Sequence, residues 1–90
     1  MAQRAVVVGS RVGLHARPAA LFVKAATAQP VKITIRKGDG PPVDARSILR
    51  VLALGAKHGD TVVLEAEGDG AEEALEAVAI VVAKDHDDPA

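Results

Sequence analysis

The sequence predicts an α+β domain, a two-layer open-faced β-sandwich in which three helices cover one face of a four-stranded, mostly antiparallel sheet. Three observations carry that prediction. Two segments alternate apolar and polar residues with the period of a half-buried strand, two others place apolar residues at the i, i+3, i+4, i+7 spacing of a helix face, and the two kinds interleave as β-α-β-β-α-β-α. Ninety residues suffice for one domain, with a core over about 2–85 and a tail over 86–90.

Each element has a local reason. Gln3 to Val8 reads as a strand ended by Gly9 and Ser10. Val31 to Lys37 sets Val31, Ile33 and Ile35 inward and Lys32, Thr34 and Arg36 outward, the clearest strand of the chain. Gly38 to Pro42 is a turn-rich break before a short strand at Val43 and Asp44, and Thr61 to Glu67 turns Val62, Leu64 and Ala66 to one face. Ala19, Phe22, Val23 and Ala26 mark the first helix, stopped at Gln29-Pro30. Pro18 disfavours helical geometry at Arg17, so the helix starts at Pro18 or, with His15 as cap, at Ala16. A middle helix from Ser47, its expected N-cap, to about Leu54 ends at Gly55. In the last helix Asp69 and Glu72 have capping-box spacing, Ala71, Ala74, Leu75, Val78 and Val82 form the apolar face, and Glu72, Glu73 and Glu76 face water.

Composition excludes several functions. The apolar residues are 18 Ala, 13 Val, 7 Leu, 4 Ile, one Met and one Phe, so the core is aliphatic. With Phe22 the only aromatic there is no platform for stacking bases, which argues against single-strand nucleic-acid binding. No Cys and three scattered histidines leave neither disulfide nor metal-ligand spacing. No apolar run approaches the ~20 residues of a membrane span and no signal peptide is evident, so a soluble, cytoplasmic protein is expected, most simply a monomer without cofactor or metal. Charge is uneven: residues 1–57 carry ten Lys or Arg against Asp39 and Asp44, a balance of +8, and residues 58–90 carry Lys84 against ten acids, a balance of −9. The asymmetry reads either as one solvated acidic helix or as a basic face for acidic partners or phosphate.

The run Gly13-Leu14-His15-Ala16-Arg17-Pro18-Ala19 puts an imidazole and a guanidinium two residues apart where a loop becomes a helix. A helix start offers unpaired N–H groups, here near Ala16 and Arg17, and a positive dipole end, both favourable to a phosphoryl group. Gly13 permits close backbone approach, Arg17 is a permanent planar donor, and an imidazole can be neutral near pH 7 and attack phosphorus. No acid lies within twenty residues of His15 in sequence. By chemistry alone the arrangement fits a phosphorylatable histidine or a surface histidine near a helix cap. An acylphosphatase-type hydrolase would need a side chain to place water, and the sequence has no Asn. A purely regulatory or interaction module would have no use for the imidazole. His58 reads as a solvated turn residue, and His86, Asp87 and Asp88 as polar tail.

The run GLHARPA resembles the active-site signature of the histidine-containing phosphocarrier (HPr) family of the bacterial sugar phosphotransferase system. Arg46-Ser47-Ile48-Leu49-Arg50-Val51-Leu52-Ala53-Leu54-Gly55 is similar to that family's serine-site pattern, with Asp44, Ala45 and Arg50 departing from its common residues. The resemblance covers about residues 2–85. It implies that His15 accepts a phosphoryl group from phosphorylated enzyme I and passes it to enzyme II A domains, with Arg17 and the Ala16 amide steadying it. It also implies a docking patch of Ala20, Lys24, Ile48, Leu49, Arg50 and Leu52. Ser47 would be a regulatory phosphorylation site, with a serine kinase and a transcription regulator as further partners. Periodicity leaves open whether Ile48, Leu49, Val51 and Leu52 are all buried or whether one stripe is exposed.

Overall fold

The computed structural model describes residues 2–84. Its elements follow the expected order: β1 (Ala2–Val7), α1 (Ala16–Thr27), β2 (Ile33–Lys37), β3 (Val43–Asp44), α2 (Ile48–Ala53), β4 (Thr61–Ala66) and α3 (Ala71–Ala83). The strands form one sheet in the order β1-β4-β2-β3, and all three pairings are antiparallel. The expectations for His86, Asp87 and Asp88 lie outside the described residues.

Register explains which face is covered. Val6 pairs with Val62, Ile35 with Leu64 and Ile33 with Ala66, so the apolar members of three strands share one face. Ile33, Ile35, Val62 and Leu64 are fully buried there with Phe22 of α1, Val51 of α2 and Leu75, Val78 and Val82 of α3. Each large aliphatic or aromatic side chain withdrawn from water contributes about 1.5–3 kcal/mol. The opposite face is polar and open, and there Arg36 Nε lies 3.3 Å from Glu65 Oε1 across β2 and β4.

Four elements have bounds that differ from the sequence expectation. β1 starts at Ala2 and ends before Val8, which is fully buried and bonds outside the ladder: its N–H donates to the Asp60 carbonyl and its carbonyl accepts from the Gly59 N–H. β2 starts at Ile33, two residues late, and the Val31 carbonyl instead lies 3.5 Å from Arg46 Nη2. β4 ends at Ala66. α2 ends at Ala53, with Leu54 as its C-cap.

The capping box at Asp69 is a misreading. Gly70 is the N-cap of α3 at φ 83°, with no side-chain cap bond, so Asp69 sits one residue too early to reach the first-turn amides. The left-handed backbone needed there selects glycine over a carboxylate cap. At α2 the expectation holds, since Ser47 Oγ accepts from the Arg50 N–H at 3.4 Å.

One carboxylate outside every expected site fastens the loop between α2 and β4. Asp60 Oδ2 accepts from the Lys57 N–H at 2.8 Å and lies 3.5 Å from Lys37 Nζ. The backbone bond, chiefly, and the Lys37 and Lys57 charges hold its carboxyl below the ordinary 3.8. A group with a lowered folded-state pKa stabilises the fold above its unfolded value and loses that contribution as pH falls through the folded one. Asp60→Asn should therefore be less stable than the parent at pH 7, with the difference in melting temperature shrinking once the pH falls below 3.8. A difference that persists unchanged below that pH would contradict the assignment.

Candidate functional site

The segment from Gly9 to His15 is held at both ends by backbone bonds to distant elements. The Gly9 N–H donates to the Val82 carbonyl at 3.0 Å, the Gly13 N–H to the Ser10 carbonyl at 3.0 Å and the Leu14 N–H to the Ala56 carbonyl at 2.9 Å. Gly13 has φ +75°, and a Cβ built on it would stand 2.4 Å from the Ala56 carbonyl oxygen and 2.8 Å from Lys57 Cα. Both its conformation and its contact therefore require glycine. Leu14 is buried, anchoring the segment, and the next three residues, His15, Ala16 and Arg17, are exposed.

Helix α1 begins at Ala16, which resolves the two possible starts in favour of His15 as N-cap. His15 is extended, at φ −111° and ψ 177°, and its side chain makes no cap hydrogen bond. Its carbonyl accepts the first helical bond, from the Ala19 N–H at 2.9 Å. Pro18, at the third helical position, has no N–H to leave unpaired, so the helix end presents the amides of Ala16 and Arg17. The first turn of α1 contains no acid. An anion at this end meets the positive pole of a 12-residue helix, in whose first turn the exposed Arg17 stands. Surface hollows of about 330–360 Å³ lie elsewhere, on the open sheet face, beside the start of α3 and between α2 and the β2–β3 turn. His15 itself lies on the exposed surface.

The remaining expected residues fall on two adjoining helices. Ala20 and Lys24 are exposed on α1, which packs against α2. On α2 the apolar arc divides: Val51 is fully buried, Leu52 is half-buried against the core, Ile48 is 37% exposed and Leu49 77% exposed. Arg50 is exposed beside them. Of the open alternatives the structure favours an exposed stripe, centred on Leu49 rather than shared equally with Leu52. Ser47 is half-buried, its oxygen engaged as the cap. Arg46 reaches back to the carbonyls of Gln29 and Val31, at 3.4 and 3.5 Å.

Sequence reasoning missed the seat of this site. The exposed Lys57 and His58 belong to the turn on which Gly13 and Leu14 rest, although 43 residues separate Leu14 from Lys57 in the chain. Among the described residues no cluster of three or more His, Cys, Asp or Glu could hold a metal, and no helix is long and apolar enough to cross a membrane.

Residues 2–84 match the family model described as the phosphorylation-site HPr component of the phosphotransferase system (PTS). The chain belongs to the HPr family. It is 56% identical over 84 residues to phosphocarrier protein HPr of Streptomyces coelicolor, covering 93% of this chain and 90% of that protein. It is also 42% identical over 82 residues to the HPr-like protein Crh of Bacillus subtilis, covering 91% and 95%. The crystal structure of HPr from Bacillus anthracis superposes with a TM-score of 0.84 at 44% identity, covering 90% of this chain and 95% of that one. The HPr fold, an open four-stranded antiparallel sheet with three helices, is the one described above, and the family is one of PTS phosphocarriers.

Proposed function

We propose that this chain is a stoichiometric phosphocarrier, not a catalyst, that accepts a phosphoryl group on His15 from phosphorylated enzyme I and delivers it to enzyme II A domains in the cytoplasm. One observation carries the reading. His15 is exposed at the N-terminal end of α1, its side chain makes no cap bond there, and Arg17 and the Ala16 amide stand in the same turn. In the transfer an imidazole nitrogen, Nδ1 by family precedent, gives its lone pair to phosphorus as the bond to the donor breaks. The Arg17 guanidinium and the helix-end amides offset the charge on the three phosphoryl oxygens. The same groups hold the phosphoryl until the next acceptor attacks, and no acid in the first turn of α1 is available to activate water against it.

Docking is assigned to the surface beside that helix end. Leu49, Ile48 and the outer part of Leu52 give an apolar centre, rimmed by Lys24 and Arg50, with Ala20 as a small flat contact on α1. A small apolar centre with a basic rim suits brief encounters with acidic partners, because charge speeds association more than it slows release. Ser47 lies at the edge of this surface. A phosphate there would add about two negative charges and repel such partners, which is the physical basis for a regulatory role, written by a serine kinase and read by a transcription regulator.

Phosphorylation with phosphoenolpyruvate and enzyme I tests the reading. One phosphoryl group per chain is expected, and Leu49→Glu should slow its uptake roughly tenfold, the effect of losing one good interface contact, with the melting temperature unchanged. Unaltered kinetics in Leu49→Glu would refute the docking surface, and continuous release of inorganic phosphate from an acyl phosphate would refute the carrier.

A further inference from the structure

We propose that Asp60 is a positioning residue for the phosphoryl site, acting through the turn Ala56 to Asp60 on which the His15 segment is seated. The inference rests on the carrier reading above. The bonds of the Asp60 carboxylate run to Lys57 and Lys37, not to His15, Ala16 or Arg17.

The turn is closed from within. Asp60 Oδ2 accepts from the Lys57 N–H at 2.8 Å, and the Asp60 N–H donates to the Lys57 carbonyl at 2.9 Å. Lys37 Nζ, 3.5 Å from the same carboxylate oxygen, ties the turn to the end of β2. A charge-assisted bond from a backbone N–H to a carboxylate is stronger than one between neutral groups, so the carboxylate fixes the four residues Lys57 to Asp60, which belong to no helix or strand.

That turn then supplies most of the support for the His15 segment. The Val8 N–H donates to the Asp60 carbonyl at 2.9 Å and the Gly59 N–H to the Val8 carbonyl at 3.0 Å, gripping the segment where it leaves β1. Six residues later the Leu14 N–H donates to the Ala56 carbonyl at 2.9 Å, immediately before His15. Between these points Gly13 lies against the Ala56 carbonyl and Lys57 Cα with no space for a Cβ. If the turn loosens, Leu14 loses its partner and the imidazole loses its fixed entry into α1. Misplacement of a reacting group by about 1 Å can cost a rate about a hundredfold. The docking residues on α1 and α2 make no bond to the turn through Asp60, so the defect should appear in the transfer step and not in partner affinity.

Amide hydrogen exchange and phosphotransfer kinetics on Asp60→Ala and Asp60→Asn test the proposal. In Asp60→Ala, protection of the Leu14 and Gly59 amides should fall roughly tenfold, as expected for one lost charge-assisted bond, and the amides of β4, which open only with the whole fold, should fall by clearly less. The maximal rate of phosphorylation by enzyme I should fall by a similar factor at constant KM. Asp60→Asn, whose amide oxygen still accepts from Lys57, should recover most of both. Unchanged protection or unchanged transfer in Asp60→Ala would overturn the proposal, as would an equal loss of protection in β4 or a rise in KM alone. A parent protein that takes up no phosphoryl group would refute the carrier reading instead, leaving the exchange data to judge the role of Asp60 in seating the segment.

Discussion

Replacing His15 with alanine should abolish phosphoryl uptake from enzyme I while leaving the fold intact. The expected loss is complete because the helix end can attract a phosphoryl group but cannot bond to it: only the imidazole there offers a nitrogen lone pair. The fold should survive because the side chain is exposed and contributes no cap bond to α1, which places the stability change within about 0.5 kcal/mol. Arg17→Ala should behave differently. It keeps the nucleophile and removes a charged donor, so uptake continues at a rate lowered roughly a hundredfold, the cost of one transition-state donor. Radiolabel incorporation and thermal melts on the two variants check both statements. Residual stoichiometric label in His15→Ala would mean that another residue is the acceptor.

The largest effect on stability is expected at Gly9. A Cβ there would lie 1.8 Å from the carbonyl oxygen of Ala83 and 2.6 Å from its carbonyl carbon, so the obstacle is backbone at the end of α3, not a side chain that can rotate away. The Gly9 N–H is meanwhile bonded to the Val82 carbonyl, so the two segments cannot separate without losing that bond. Gly9→Ala should destabilise the fold by about 2–3 kcal/mol through forced backbone shifts, lowering the melting temperature by roughly 10–20 °C. Gly38 makes a useful control. Its φ is +55° and a Cβ on it would meet nothing within 4 Å, and asparagine tolerates that backbone, so Gly38→Asn should cost less than about 1 kcal/mol. Equal melting temperatures for Gly9→Ala and the parent would contradict the packing of the β1–α1 segment on α3.

The two predictions separate what local sequence records from what it does not. His15, Ala16 and Arg17 were legible because their chemistry and spacing lie within three consecutive residues. β2 and β4 were legible because a central strand covered on one face must alternate, whereas the start of β2 was not, since Val31 is apolar but spends its carbonyl on Arg46. Asp69 misled because capping-box spacing is satisfied one residue early when a left-handed glycine intervenes. In α2 the six-residue length is too short for periodicity to decide which of four aliphatics faces the core. Contacts along α1 and beneath the sheet made that choice, burying Val51 and leaving Leu49 out.

The supports of the site were hidden for a different reason. Gly9 reads only as a strand terminator and Asp60 draws no reading from the sequence, because their partners, Ala83 and the segment at Val8, are remote in the chain. The charge asymmetry now has a partial location. Lys24, Arg50 and Lys57 are exposed on α1, on α2 and on the turn beneath His15, while Glu72, Glu73 and Glu76 are exposed on α3. Both balances remain spread over several elements, and Arg36 and Lys37 are occupied by Glu65 and Asp60. The field near the helix end therefore comes from fewer cations than the +8 of the first 57 residues suggests.

Direct identification of the phosphorylated atom tests the central claim most sharply. After transfer from phosphoenolpyruvate through enzyme I, ring-nitrogen NMR of the uniformly labelled protein should show one imidazole changed, that of His15, with His58 and His86 unaltered and the phosphate labile to acid and stable to base. A phosphoryl group on His58, a base-labile serine ester at Ser47 as the sole product, or no modified imidazole at all would contradict the account.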